Sequence, residues 1–255
     1  MSKMFDHVVA EILGLQVRLM ACQARLAENT DSEALHDLRT TVRRLRSLLR
    51  PLRGLPGVDH LESAAKAIGD LTTPLRDREV LAEQLFELDM EAAAQRRLAG
   101  EGVVFASVAA STQLHKLLSI IDVFPRFLRA IEQQGLVPDL GKRIGKRLDK
   151  QWKNIVQAMH DPALDRHRLR LLIKRSRYGA EAYPKLSRIG KSMRAELKNA
   201  QDDLGHWHDL LQWLAQAEKQ PDLAPLVAQW QAQLAQAERK ADKTLARLLK
   251  HIDER

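Results

Sequence analysis

His36, Arg39, Arg43, Arg46 and Arg50 recur at intervals of three and four residues, the spacing that stacks side chains on one face of an α-helix. At about 100° per residue they fall within a single arc of about 80°. Asp37, the acid nearest in sequence, lies on the far side of the same helix together with Arg44. A row of this kind is suited to phosphate. The guanidinium fork makes paired, charge-assisted hydrogen bonds to phosphate oxygens and stays charged at any cellular pH. At 1.5 Å per residue the row runs for about 21 Å, which matches an extended polyanion better than one small metabolite.

The row is expensive for a helix to carry. Solvated faces usually mix signs, because like charges four residues apart each cost about 0.2–0.5 kcal/mol. Leu35, Leu38, Val42, Leu45 and Leu49 occupy the adjoining arc, so the row borders the side that must be buried. A self-repelling row beside a core points to an anion that completes it.

The pattern occurs twice. His167-Arg168-Leu169-Arg170-Leu171-Leu172-Ile173-Lys174-Arg175-Ser176-Arg177 repeats the His36–Arg46 stretch 131 residues further on. Its own row is His167, Arg170, Lys174 and Arg177, with Leu169, Ile173, Ser176 and Ala180 on the core side. Downstream, Arg76-Asp77 is matched by His208-Asp209, and Lys66 by Lys198, at an offset of 132. Recurrence in the same order and separation predicts two structural halves, about 1–115 and 116–255, each a four-helix bundle. Lys66, Lys198, Arg18, Lys142, Lys146, Lys153, Lys191 and Arg194 are further basic residues that would enlarge the surface.

The elements that must hold these rows are helices throughout. Apolar residues return at helical spacing in almost every segment, and no run alternates as a strand would. With prolines 51, 56, 74, 138, 162, 184, 221 and 225 read as boundaries, helices are predicted at about 4–28, 32–50, 58–70, 75–99, 103–134, 138–160, 165–182, 187–204, 206–219 and 222–252. The fold class is all-α.

Composition narrows the partners. The 255-residue chain has 41 Lys and Arg against 33 Asp and Glu, a formal net charge of +8, which favours an anionic ligand. Aromatics are only 4%, too few for a base-stacking platform, so binding to an RNA or DNA backbone is the second reading. Cys22 is the single cysteine, which rules out an internal disulfide and suits a reducing, cytoplasmic setting. Asp6 and Glu11 interrupt what would be a signal peptide's apolar stretch, and no membrane span is expected.

His206, His208 and Asp209 have metal-ligand chemistry, but histidines two apart on a helix point about 200° apart. A carboxylate early in a helix is more often a cap. Neither a metal nor a cofactor is expected, and no nucleophile, glycine-rich phosphate loop or acid cluster for a metal-assisted hydrolase is found. Catalysis is therefore not expected. Lys240, Lys243, Arg247 and Lys250 share one face of the last helix, read as a solvated face or one beside the phosphate polymer.

HDLRTTVRRLRSLLRPL and HRLRLLIKRSRYGAEAY, with LTTPLRDREVL and LKNAQDDLGHWHDLL after them, resemble the paired His-x-x-Arg helices and following elements of the conserved histidine α-helical domain (CHAD) family. The resemblance spans the chain as one domain. It implies two four-helix bundles related by a pseudo-twofold axis with a long connecting helix, and a basic groove or pore that holds inorganic polyphosphate, with location at polyphosphate granules. It leaves the oligomeric state open. Three positions depart from the pattern. His208 stands where the first copy has Arg76, Thr72-Thr73 where the second has Leu204-Gly205, and Glu181 where the first has Arg50.

Overall fold

The computed structural model describes residues 3–31, 33–161, 163 and 165–254. Ten α-helices and two short 3-10 turns account for most of them, with no strand among the described residues. In chain order these are α1 (Lys3–Ala27), α2 (Ala34–Leu49), α3 (Val58–Glu87), α4 (Glu91–Leu98), α5 (Glu101–Ala109), α6 (Thr112–Gln133), α7 (Leu140–Met159), α8 (Arg166–Ala182), α9 (Lys191–Ala217) and α10 (Val227–Asp253). The all-α class read from periodicity is what is observed. Ser32, the expected start of the second helix, and Pro162, an expected boundary, lie outside the described residues.

Two compact units are present, residues 1–144 and 145–255, and the division falls inside α7. In the first unit α1 packs on α2 and α6, and α3 packs on α2 and α6. The four helices thus close a ring around one core. Ile12, Leu19, Leu26, Leu35, Leu38, Leu45, Leu61, Ile68, Leu117 and Ile121 are fully buried in it. Because α6 seals this ring, the unit runs well past the junction near 115 that the repeat suggests. In the second unit α9 is central and packs on α8 and α10, burying Ile173, Leu197, Leu204, Leu210, Trp230 and Leu248. The Trp213 and Trp230 rings meet there at 5.7 Å.

Several helix boundaries differ from the predicted ones, among them a break at 88–90, between α3 and α4, within the helix expected over 75–99. The expected break before Pro74 is absent, and α3 runs unbroken from 58 to 87. A proline inside a helix removes one N–H and crowds the preceding turn. Here Thr72 and Thr73 donate their hydroxyls to the carbonyls of Ile68 (2.8 Å) and Gly69 (2.7 Å) in that turn. The break expected at Gly205 is also absent, and α9 continues to 217. Nothing stands within 4 Å of where a Cβ would sit at Gly205, so the residue costs propensity but meets no conflict. Conversely, the single helix expected over 103–134 is two. Ser111, extended at ψ 141°, caps α6 by accepting from the Leu114 N–H at 3.2 Å, a strong local stop signal. Composition alone makes a window within 91–133 apolar enough to cross a membrane. That stretch is divided among α4, α5 and α6, with Gly100 at φ +78° between the first two.

Candidate functional site

In the first unit, α2 and α3 run antiparallel and the basic row of α2 faces α3 step by step. Nearest the connection, Arg50 Nε lies 3.9 Å from Glu62 Oε1, and Arg53 clamps the same buried carboxylate through two bonds. Next, Arg46 lies over Gly69, its Nη1 3.5 Å from where a Cβ there would stand. The buried Nε of Arg46 has no hydrogen-bond partner among the described residues. Further along, Arg39 Nη1 donates to Thr72 Oγ1 at 2.9 Å and Thr73 Oγ1 at 3.3 Å. These are the hydroxyls whose own protons are given to the carbonyls ahead of Pro74, so their lone pairs face Arg39. Arg43 Nη2 donates to Thr40 Oγ1 at 3.2 Å. Asp37, on the opposite side of α2, pairs with Arg25 of α1 at 2.7 Å, which fixes the helix's rotation and turns the arginines toward α3.

The four arginines are half-buried and His36 is exposed. Burial pushes the Arg39 guanidinium below the ordinary arginine range. Asp77 and Glu79 pull it back up, while Arg76 and Arg43 push it down. A guanidinium that meets neutral hydroxyls at the edge of a core carries a desolvation cost that an anion would offset.

The second unit repeats the arrangement with different chemistry. The row of α8 faces α9, again antiparallel. Arg177 Nε donates to Gln201 Oε1 at 2.9 Å, pairs with Glu181 one turn on, and lies 4.3 Å over the Tyr178 ring. At the other end His167, exposed, and His208, half-buried, face each other with ring centroids 5.1 Å apart. Arg170 and Lys174, both half-buried, act on the same imidazole. Burial, then the charges of Arg170, His167 and Lys174, lower the His208 pKa to about 4.

Residues expected to enlarge the surface behave differently. Lys66 and Lys198 are exposed and each pairs with the acid one turn on, Asp70 (2.5 Å) and Asp202 (2.7 Å). Arg18, Lys142, Lys146, Lys153 and Lys191 are exposed, and Arg194 Nε donates to the Ile189 carbonyl at 3.0 Å. The basic face of α10, Lys240, Lys243, Arg247 and Lys250, is exposed, and two of its cations reach acids of the neighbouring helix. Lys240 pairs with Asp203 (2.9 Å) and Arg247 with Glu196 (2.8 Å), both on α9. Among the described residues no group of three or more His, Cys, Asp or Glu side chains could hold a metal ion.

Sequence reasoning missed Glu62, Arg53, Gln201 and the hydroxyls of Thr72 and Thr73 as parts of the rows' surroundings. The threonines had been noted only as a departure from Leu-Gly. Their signal was present in one respect, since two hydroxyls directly before a mid-helix proline are well placed to serve carbonyls in that turn.

Comparison with solved structures finds the CHAD domain from the plant Ricinus communis, at 24% identity, covering 96% of this chain and 91% of that one, with a TM-score of 0.70. That likeness shows a shared fold. Comparison with curated proteins finds no match. The family model for the CHAD domain matches residues 11–218, from α1 to just past the end of α9. With both basic rows inside that span, and the all-helical architecture shared with a CHAD domain across nearly its whole length, the chain belongs to the CHAD family.

Proposed function

We propose that this chain is a non-catalytic binding module for inorganic polyphosphate, held along the arginine row of α2 and the basic row of α8. The observation that carries the reading is Arg39. It is half-buried, hydrogen-bonded to two neutral hydroxyls, and acted on by the acids Asp77 and Glu79 as well as by the cations Arg76 and Arg43. Burial still outweighs those acids, and a polyanion that replaces lost water would stabilise such a charge further. Successive arginines are spaced by about 4.5–6 Å along the helix axis, a ladder on which one phosphate group after another can be seated. His36, Arg43, Arg46 and Arg50 extend the ladder on α2, and His167, Arg170, Lys174 and Arg177 form that on α8. Lys66 and Lys198 already have acid partners and belong to its margin, as do the exposed Arg18, Lys142 and Lys146. Recognition of repeating charge without aromatic stacking favours a phosphate polymer over nucleic acid.

Thermal unfolding tests this directly. Long-chain sodium polyphosphate should raise the melting temperature by mass action, and added salt should shrink the rise. Arg39→Gln with Arg43→Gln should remove most of it while helix content stays unchanged. If single-stranded RNA at equal phosphate concentration competes as well as polyphosphate does, the reading fails in favour of general backbone binding.

A further inference from the structure

The two rows differ at one matched position. Where α3 carries Arg76, whose charge is permanent, α9 carries His208, and only the second can change its charge. His208 is not isolated. Across from it on α8 stand His167, with ring centroids 5.1 Å away, and the cations Arg170 and Lys174. On α9 itself its neighbours are Trp207, whose ring lies 6.4 Å off, and the carboxylate Asp209. The helix α10 directs its cations to other residues of α9, Lys240 to Asp203 and Arg247 to Glu196. The 3-10 turn at Pro221–Leu226 buries two leucines in this unit, Leu223 and Leu226, and its one charge is Asp222.

We propose that the α8 row takes up a proton together with its polyanion, on the imidazole of His208, so that this unit grips phosphate groups more tightly as the pH falls, whereas Arg76, at the matched position beside the α2 row, keeps its charge throughout. The inference rests on the polyphosphate reading above. In the free protein, burial and then the cations of α8 hold His208 neutral. A phosphate group settling beside Arg170 and Lys174 cancels that repulsion and supplies an acceptor. The ring nitrogen then takes a proton from solvent, and the imidazolium donates to a phosphate oxygen. By linkage, whatever factor the polyanion contributes to protonation, protonation returns to polyanion binding.

The test follows the ring signals of His208 in the full-length, histidine-labelled protein by NMR, as a function of pH, with and without saturating long-chain sodium polyphosphate. His208→Gln identifies the signal. The expected result is a midpoint raised by one pH unit or more, equivalent to affinity about tenfold higher below both midpoints. In parallel, His208→Arg should retain binding by isothermal titration but lose at least half of the wild-type change in affinity between pH 6 and pH 4. A His208 midpoint that does not move while calorimetry shows polyphosphate bound overturns this inference and leaves the proposed function standing. Absence of polyphosphate binding at every pH overturns both.

Discussion

Arg39 and Thr72 meet across α2 and α3 through a hydrogen bond of 2.9 Å, and the same threonine hydroxyl donates at 2.8 Å to the carbonyl of Ile68. One fully buried oxygen therefore serves two structural needs. It gives a backbone carbonyl in the turn ahead of Pro74 a second donor, and it aims a cationic side chain along the helix pair. Thr73 repeats the arrangement against Gly69. The proline that sequence reasoning read as a helix end is instead a place where side-chain oxygens become part of the arginine's surroundings.

Thr72→Val keeps the shape but removes that oxygen. The Ile68 carbonyl keeps its helical donor, the Thr72 N–H, so the cost is that of a guanidinium N–H left short of a partner, about 1–3 kcal/mol. Urea unfolding of the free protein should show a loss in that range. The deficit should narrow when polyphosphate is present, because the anion supplies Arg39 with a replacement acceptor. A loss that is the same with and without polyphosphate would show that Arg39 does not reach the ligand.

Removing both charges at the centre of the row, Arg39→Gln with Arg43→Gln, deletes two charge-assisted contacts. Affinity for long-chain polyphosphate should fall about tenfold or more by isothermal titration. The slope of binding against salt should become shallower, because fewer counterions are exchanged.

Glu62 is buried beneath Arg50 and Arg53. Replacing it by Gln removes the carboxylate that both cations share, and the free protein should lose roughly 1–3 kcal/mol, less than a fully buried pair because Arg53 is half exposed. With Glu62 neutral, its charge no longer repels an incoming anion at this end of the row. The melting-temperature rise on adding polyphosphate should therefore be larger in Glu62→Gln than in the wild type.

His208 has a folded-state pKa of about 4, lowered by burial and then by Arg170, His167 and Lys174. Between the ordinary histidine value and that one, the unfolded chain binds the proton and the folded chain does not. Stability of the free protein is therefore highest above this window and declines as the pH falls through it, by at most about 3 kcal/mol from this group. His208→Gln should flatten the decline. Denaturant titrations at successive pH values would reveal it.

Gly69 lies under Arg46, and a Cβ there would stand 3.5 Å from its Nη1, an ordinary contact. Gly69→Ala should raise stability by about 0.5–1 kcal/mol through helix propensity. A larger side chain such as Gly69→Leu should push Arg46 out of the row and weaken polyphosphate binding. Equal binding by both variants would exclude Arg46 from the site.

Much of this protein could be read without coordinates. The helical class and the face shared by His36, Arg39, Arg43, Arg46 and Arg50 follow from spacing, because which residues lie together on one helix is a local property of the chain. The recurrence of that face at His167, Arg170, Lys174 and Arg177 is likewise a matter of comparing stretches. Helix ends were less legible. Pro74 and Gly205 look like boundaries by their own preferences, and the neighbours that overrule them, the threonine hydroxyls in one case and the packing of α9 between α8 and α10 in the other, outweigh those preferences.

By itself, then, the amino-acid order determined that two helices each present a row of cations beside an apolar face. Only the tertiary structure decided what those cations meet. Glu62 reaches Arg50 from another helix, Thr72 and Thr73 reach Arg39, Gln201 reaches Arg177, and His208 comes to face His167, while Lys240 and Arg247 of α10 pair with acids of α9. Each of these pairings depends on the register in which one helix packs against the next. Register is set by how side chains interlock across the interface, and no spacing within a single helix encodes it.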